Sequence, residues 1–172
     1  MILGLDISTS IIGVCVLKDN KIVHTDYIDL RKVGDFFSKA ATVDEYFQNL
    51  EYPIEHIFIE QALMFFRRGG STAKTMATLQ RFNGVVSWLA HKRFDIIPEY
   101  VTPIGARSKC GIKVSKGKKA KEVVMEHFVE SKEFPIDYTR YGNIQKYCYD
   151  IADAVVVARA GYHTLEEQKN NT

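Results

Sequence analysis

The chain has 172 residues, of which 46% are hydrophobic and 26% charged, with 11 Gly, 4 Pro and 3 Cys. This composition excludes collagen-like, low-complexity and disulfide-rich proteins, and the length predicts one domain over residues 1–172 with a core of its own. The widely spaced cysteines and the lack of an apolar run that could span a bilayer lead us to expect an intracellular protein with no membrane partner.

The net charge of +2 hides a strong segregation of charge along the chain. Residues 61–121 carry thirteen Lys and Arg against two acids, which gives +11, whereas the rest of the chain carries −9. A basic middle third predicts a face that binds a polyanion, above all nucleic acid. Solvated helix faces are the alternative explanation at this point.

Hydrophobic periodicity predicts strands and helices in alternation. Short apolar or alternating runs are typical of strands, and apolar residues three and four apart are typical of helices. The Asp19-Asn20 turn makes the second and third strands an antiparallel hairpin, and residues 130–146 show no periodicity. In chain order we predict strands at 1–5, 13–17 and 21–27, a helix at 36–50, a strand at 54–60, a helix at 72–93, a strand at 96–101, and helices at 118–129 and 148–165.

This order of elements predicts an α/β fold. A three-stranded meander gives antiparallel neighbours, whereas strands that follow crossover helices become parallel neighbours. We therefore expect a five-stranded mixed sheet with helices on both faces.

Four carboxylates, here named the tetrad (Asp6, Glu60, Asp150 and Asp153), lie where carboxylates are costly. Asp6 and Glu60 each close an apolar run that should be a central strand, while Asp150 and Asp153 share one face of an Ala- and Val-rich helix. Unpaired buried carboxylates are strongly unfavourable, and Mg²⁺, for which Mn²⁺ can substitute, is a common compensating ion. Two such ions about 4 Å apart can stabilise both the attacking and the leaving oxygen at phosphorus.

Purely structural explanations also exist for these acids, and Asp153, which apolar residues surround, is the hardest to explain in that way. The four acids together are stronger evidence for a metal site than any one of them alone. The structural explanations are a strand-end cap on Ser8 or Thr9 for Asp6, an ion pair with Arg67 or Arg68 for Glu60, and a favourable position near a helix N-terminus for Asp150.

Four blocks of the sequence resemble, in order, those of RuvC-type Holliday junction resolvases. The blocks are ILGLDISTS at 2–10, IEQ at 59–61, VTP at 101–103 and DIADA at 150–154, and the resemblance extends from residue 1 to about residue 160. It implies a ribonuclease H-like fold in which the tetrad binds metal and is catalytic. The lysines of the family map nearest to Lys109, one residue out of register, and to Lys121, which fits without a shift and would stabilise charge at the scissile phosphate.

The segment after Glu60 departs from the family pattern. Bacterial members place a base-stacking aromatic shortly after this glutamate, where this chain has Leu63, so Phe65 or Phe66 would stack instead, or neither. Both phenylalanines could equally belong to the core. The longer, more basic segment 64–70 suggests a divergent phage or viral member, which would act in the cytoplasm of a bacterium or an infected host cell.

Basic residues between 107 and 121 predict a phosphate-binding loop that leads into a helix N-terminus. A junction with two symmetric scissile phosphates also favours a homodimer, to which the helix at 72–93 with Trp88 could contribute. Core packing explains most of that helix. The predicted DNA contacts are Lys109, Lys113, Lys116, Lys118, Lys119, Arg67, Arg68, Phe65 and Phe66.

The sequence and its resemblance together predict a structure-selective endodeoxyribonuclease that resolves four-way DNA junctions. Metal-activated water would attack a phosphodiester and leave 5′-phosphate and 3′-hydroxyl ends. Two alternatives remain open at this point. One is an RNA:DNA hybrid nuclease of the same fold, and the other is a branched-DNA binding module without catalysis, which would need the basic segment but not the tetrad.

Overall fold

Five strands form one mixed sheet in this computed structural model, which describes residues 1–62 and 72–171. The strand order is β3-β2-β1-β4-β5, with β1–β2 and β2–β3 antiparallel and with β1–β4 and β4–β5 parallel. The strands are β1 (Ile2–Ile7), β2 (Ile11–Lys18), β3 (Lys21–Asp29), β4 (His56–Glu60) and β5 (Glu99–Val101).

Helices cover both faces of this sheet. Asp35 and Thr72 cap the first two helices by accepting hydrogen bonds from backbone N–H groups of the first turn. In the described ranges, no helix is long and apolar enough to cross a bilayer. The helices are α1 (Phe36–Asn49), α2 (Ala73–Phe94), α3 (Pro103–Lys109), α4 (Ala120–Ser131) and α5 (Lys146–Asn170).

The alternation of side chains along β1 divides the core into two layers. Leu3 and Leu5 pack with α1 and α2 on one face, whereas Ile2 belongs to the layer formed with α3, α4 and α5 on the other. Gly4 lets α5 approach this second face, because a Cβ atom there would lie 2.6 Å from both the Ala154 carbonyl oxygen and Ala158 Cβ. The small residues of α5 thus bring it directly onto the central strands.

The predicted α/β fold with a mixed five-stranded sheet and helices on both faces is confirmed. The Asp19-Asn20 turn has positive φ at both residues, as the predicted two-residue hairpin requires. The strand predicted at 54–60 is shorter and the last helix longer than expected.

One helix, α3, was missed because Thr102-Pro103 was interpreted only as the end of a strand. The Thr102 side chain accepts a hydrogen bond from Gly105 N at 3.1 Å, and Pro103 occupies the first helical position. Proline favours that position because its fixed φ suits a helix and its missing N–H has no helical partner there.

Candidate functional site

Strand register brings the two strand carboxylates of the tetrad to the same edge of the sheet. Leu5 lies opposite Ile59 in the parallel β1–β4 pair, so Asp6 and Glu60 both follow at the carboxyl ends of adjacent strands. Asp6 is also opposite Gly13 on β2. A Cβ atom at Gly13 would overlap the backbone carbonyl of Asp150, so this glycine allows α5 to cross the sheet beside Asp6.

Burial and mutual repulsion make the ionised forms of these acids costly. Asp6 and Asp153 are each only 9% exposed. Burial raises the pKa of Asp6 well above its ordinary value, and the charges of Glu60, Asp153 and Asp150 raise that pKa further. Burial and the charge of Asp153 raise the pKa of Glu60 to about 7. The structure therefore brings the other three members of the tetrad within electrostatic reach of Asp6.

Lys121 supplies the cation nearest to the helix carboxylates. Its Nζ atom lies 2.9 Å from Asp150 Oδ1 and 3.4 Å from Asp153 Oδ2. Desolvation of the ammonium opposes its charge, but the surrounding Asp6, Asp153 and Asp150 outweigh that effect and raise the pKa of Lys121. The side chain is nevertheless 58% exposed, so water and ligands can reach it.

A second cation near the site is Arg107 on α3, which the sequence placed in the basic segment 107–121 but not beside the tetrad. Its charge lowers the pKa of both Glu60 and Asp153. Lys109, which the resemblance placed near the active site, instead forms an ion pair at 2.5 Å with Glu167 towards the far end of α5. Seventeen residues separate Glu167 from Asp150, about 25 Å along a helix. Lys109 therefore does not join the tetrad.

The structure bears on two of the three purely structural explanations for the acids, those for Asp6 and Asp150. The Ser8 hydroxyl donates to Ile11 O at 2.7 Å and accepts from Ile11 N at 3.0 Å, so its strand-end turn is closed without Asp6. Asp150 is the fifth residue of α5, beyond the first turn where the helix dipole acts most strongly. The ion pair proposed for Glu60 involves Arg67 and Arg68, which lie outside the described residues.

The basic segment before α4 is exposed to solvent. Lys118 and Lys119 form surface ion pairs with Glu126 at 3.6 Å and Glu122 at 3.0 Å, and such pairs contribute little to stability. Their roles as DNA contacts, with those of Lys109, Lys113 and Lys116, stay predictions. The other predicted contacts, Phe65, Phe66, Arg67 and Arg68, lie outside the described residues.

The carboxylates of the tetrad are the candidate metal ligands of this site. Among residues 1–62 and 72–171, no three Asp, Glu, His or Cys side chains are arranged as the ligands of one ion. The tetrad nevertheless offers only hard oxygen donors, which suit Mg²⁺. Its donor chemistry fits a divalent cation, while its side chains would have to turn towards a shared ion.

Comparison with solved structures shows that this chain has the ribonuclease H-like fold of the RuvC type. The chain is similar to RuvC of Thermus thermophilus in complex with a Holliday junction substrate, with a TM-score of 0.66 and 11% identity over 96% of this chain and 94% of that chain. It is similar to T. thermophilus RuvC in a second structure, with a TM-score of 0.64 and 14% identity over 97% and 96%.

A eukaryotic structure gives the same result. The yeast mitochondrial Holliday junction resolvase Ydc2 matches with a TM-score of 0.64 and 16% identity over 98% of this chain and 80% of that chain. No family model and no curated protein matches the sequence. At these identities the comparisons establish the fold, and they confirm the RuvC-type resemblance at that level.

Proposed function

We propose that this protein is a divalent-metal-dependent endonuclease that cuts four-way DNA junctions. The observation that carries this proposal is the meeting of the tetrad at one sheet edge, where burial and repulsion make the ionised forms of Asp6, Glu60 and Asp153 costly without a cation. The described neighbours of the same fold are Holliday junction resolvases, which supports the choice of substrate.

The residues of the tetrad would hold the metal. When bound, a pair of divalent ions supplies the charge that stabilises the attacking and leaving oxygens of an in-line displacement. The charges of the other three acids all raise the pKa of Asp6, so Asp6 would hold metal together with each of them. Glu60 and the Asp150–Asp153 pair approach it from β4 and from α5.

Lys121 and Arg107 would act on the phosphate. The reaction adds a water oxygen to phosphorus and breaks the bond to the 3′ oxygen, which leaves with a proton as a hydroxyl, while the 5′ phosphate stays on the other fragment. Negative charge on the phosphoryl oxygens attracts the Lys121 ammonium, which is close to the acids yet solvent accessible. Arg107 lies near enough to influence Glu60 and Asp153 and would bind an adjacent phosphate.

The exposed lysines before α4 would provide affinity for the DNA backbone. Phosphate contacts carry no sequence information, so selection of a junction must come from its shape and from a few contacts to bases. Lys119, the N-cap of α4, forms no side-chain cap, so the first N–H groups of the helix have no side-chain acceptor from it and could bind a phosphate.

We also propose that two copies of the chain form a two-fold dimer through α2 and the adjacent β5–α3 region. Trp88 is exposed on α2, and Tyr100 donates a hydrogen bond to the neighbouring Ser87 hydroxyl at 2.8 Å. Ile97 and Ile104 add exposed apolar surface nearby in sequence. A dimer would present two tetrads to the two scissile phosphates of a junction. Light scattering should give the mass of a dimer for the wild type and of a monomer for Trp88→Glu.

Cleavage of defined substrates tests the proposed activity. Purified protein is incubated with a synthetic four-way junction, a duplex of the same sequence and an RNA:DNA hybrid, each with Mg²⁺ or with EDTA. We expect paired nicks in the junction only with Mg²⁺, and we expect Glu60→Gln to abolish them while the exposed α1 control Glu45→Gln does not. Cleavage of the hybrid alone would identify an RNA:DNA hybrid nuclease, and junction binding without cleavage would identify a binding module.

A further inference from the structure

A short hairpin lies directly before α5 and is here named the pre-α5 hairpin (residues 137–145). It carries two tyrosines and one arginine that take no part in the tetrad. Tyr138 and Ile144 form an isolated antiparallel bridge. Thr139 N donates to Asn143 O at 2.7 Å, and the Thr139 hydroxyl accepts from Asn143 N at 3.2 Å. Gly142 adopts a φ of +80°, which glycine tolerates and which reverses the chain. Local hydrogen bonds thus hold the tip in one conformation.

The aromatic side chains of this hairpin face solvent. Tyr138 is 54% exposed and Tyr141 is 73% exposed, so neither contributes much to the core. The Arg140 guanidinium lies over the Tyr141 ring, 4.5 Å from its centroid, and donates a hydrogen bond to its hydroxyl. The two tyrosine rings and the arginine guanidinium therefore lie together on the surface of the protein.

A row of contacts fixes the hairpin at the tetrad end of the sheet. Tyr27 on β3 lies opposite Gly13, which lies opposite Asp6. The Tyr147 ring stacks on the Tyr27 ring with centroids 4.0 Å apart, and its hydroxyl donates to Asp137 Oδ2 at 2.8 Å. The row therefore runs from Asp6 across three strands to the base of the hairpin.

The end of the hairpin also lies near the tetrad along the chain. Asp150 follows Gln145, the N-cap of α5, by five residues, which is about 7.5 Å of helix rise. A nucleic acid whose phosphate reached the tetrad would thus have its neighbouring nucleotides within range of the hairpin.

The side chains of the hairpin can bind two parts of a nucleic acid, the bases and the phosphates. Exposed rings stack on nucleobases whatever their identity, and a neighbouring arginine binds the adjoining phosphate. Bases inside a duplex are already stacked on each other, whereas those at a branch point can be unstacked at lower cost. The acid of the hairpin, Asp137, accepts a hydrogen bond from Tyr147, which holds its carboxylate at the base of the hairpin.

We propose that the pre-α5 hairpin is a base-stacking site that binds unpaired nucleotides beside the scissile phosphate through Tyr138, Arg140 and Tyr141. This inference rests on the proposed function. It adds a determinant of selectivity for branched over continuous DNA, which the tetrad and the exposed lysines do not supply.

Binding measurements in EDTA test this site without depending on cleavage. Tyr138→Ala/Tyr141→Ala is compared with the matched Tyr138→Phe/Tyr141→Phe variant, which keeps the rings. We expect the alanine variant to bind a four-way junction at least ten-fold more weakly, with an unchanged affinity for duplex, because stacking contributes about 1–3 kcal/mol per base. The phenylalanine variant should bind the junction within about two-fold of the wild type.

A fluorescent base gives an independent readout. With 2-aminopurine at the branch point, the wild type and the phenylalanine variant should change its fluorescence on binding, and the alanine variant should not. Equal junction affinity of the alanine variant and the wild type would overturn the stacking site, as would loss of binding in the phenylalanine variant. Either result would leave the proposed nuclease activity intact if the wild type still cuts junctions with Mg²⁺.

Discussion

The Lys121 ammonium lies 2.9 Å from Asp150 Oδ1 and places a positive charge beside the four carboxylates of the tetrad. This ion pair lowers the repulsion that two buried and two half-buried carboxylates would otherwise create in the folded protein. A divalent cation and Lys121 would therefore compete for the same carboxylate oxygens. Arrival of a phosphate would favour the cation, because it offers the ammonium another partner.

Substitution of Lys121 by Met should tighten metal binding in the absence of DNA. Without the competing ammonium, we expect the Mg²⁺ concentration at half-maximal thermal stabilisation to fall about two- to five-fold, since a partly exposed ion pair contributes about 1 kcal/mol or less. Thermal unfolding across a Mg²⁺ titration measures this. Lys119→Met, which removes an exposed lysine two residues earlier, should leave the midpoint unchanged. A weaker Mg²⁺ response in Lys121→Met would contradict the competition.

Asp153→Asn should abolish cleavage while preserving junction binding. Because burial raises the pKa of Asp153, its ionised form is less favourable in the folded than in the unfolded chain. The neutral amide should therefore raise Tm at pH 8 in EDTA by about 2–4 °C, which corresponds to about 1 kcal/mol at this chain length. Melting curves and gel-shift assays check both effects, with Glu45→Gln as the control. A lower Tm, or loss of binding, would count against this account.

The stability of the metal-free protein should fall as pH rises from 5 to 8. An acid whose folded pKa is raised binds its proton more tightly in the folded state. Stability is therefore lost between the unfolded pKa, about 4.3 for Glu, and the folded pKa. Glu60, with its pKa raised to about 7, loses its proton within this pH range in the folded protein. Urea unfolding in EDTA should show a loss of about 1–3 kcal/mol. Saturating Mg²⁺ should reduce the loss, and stability that increases across this range would argue against a repulsive tetrad.

Replacement of Lys116, Lys118 and Lys119 by Ala should weaken junction binding and reduce its salt dependence. Each lost phosphate contact lowers the slope of log Kd against log salt concentration by about 0.9, so three contacts would remove up to about 2.7. Fluorescence anisotropy from 50 to 200 mM salt measures the slope. A control with the same charge change, Lys18, Lys21 and Lys169 to Ala, should leave it unaltered. An unchanged slope in the first variant would remove these lysines from the interface.

The sheet and the tetrad could be predicted because both leave a local signal in the sequence. Apolar runs that end in Asp6 and Glu60, and an apolar helix interrupted by Asp153, mark costly carboxylates without any knowledge of tertiary contacts. The meander also appears locally, since Asp19-Asn20 specifies its turn. Parallel pairing of β1 with β4 then follows from the crossover through α1.

The cations around the tetrad could not be assigned in the same way. Lys109 and Arg107 are two residues apart in one basic helix, and only its packing on α5 decides that Arg107 acts on the acids while Lys109 pairs with Glu167. The stack of Tyr27 on Tyr147 joins residues 120 positions apart, and neither lies in a recognisable motif. Such contacts depend on tertiary geometry rather than on periodicity.

Anomalous diffraction from crystals grown with Mn²⁺ and an uncleaved junction tests the central claim most directly. The account predicts two Mn²⁺ peaks about 4 Å apart, with Asp6 coordinating both, Glu60, Asp150 and Asp153 completing the ligands, and Lys121 moved onto the phosphate. Bound DNA with no Mn²⁺ at the tetrad, and with Lys121 still paired to Asp150, would contradict it.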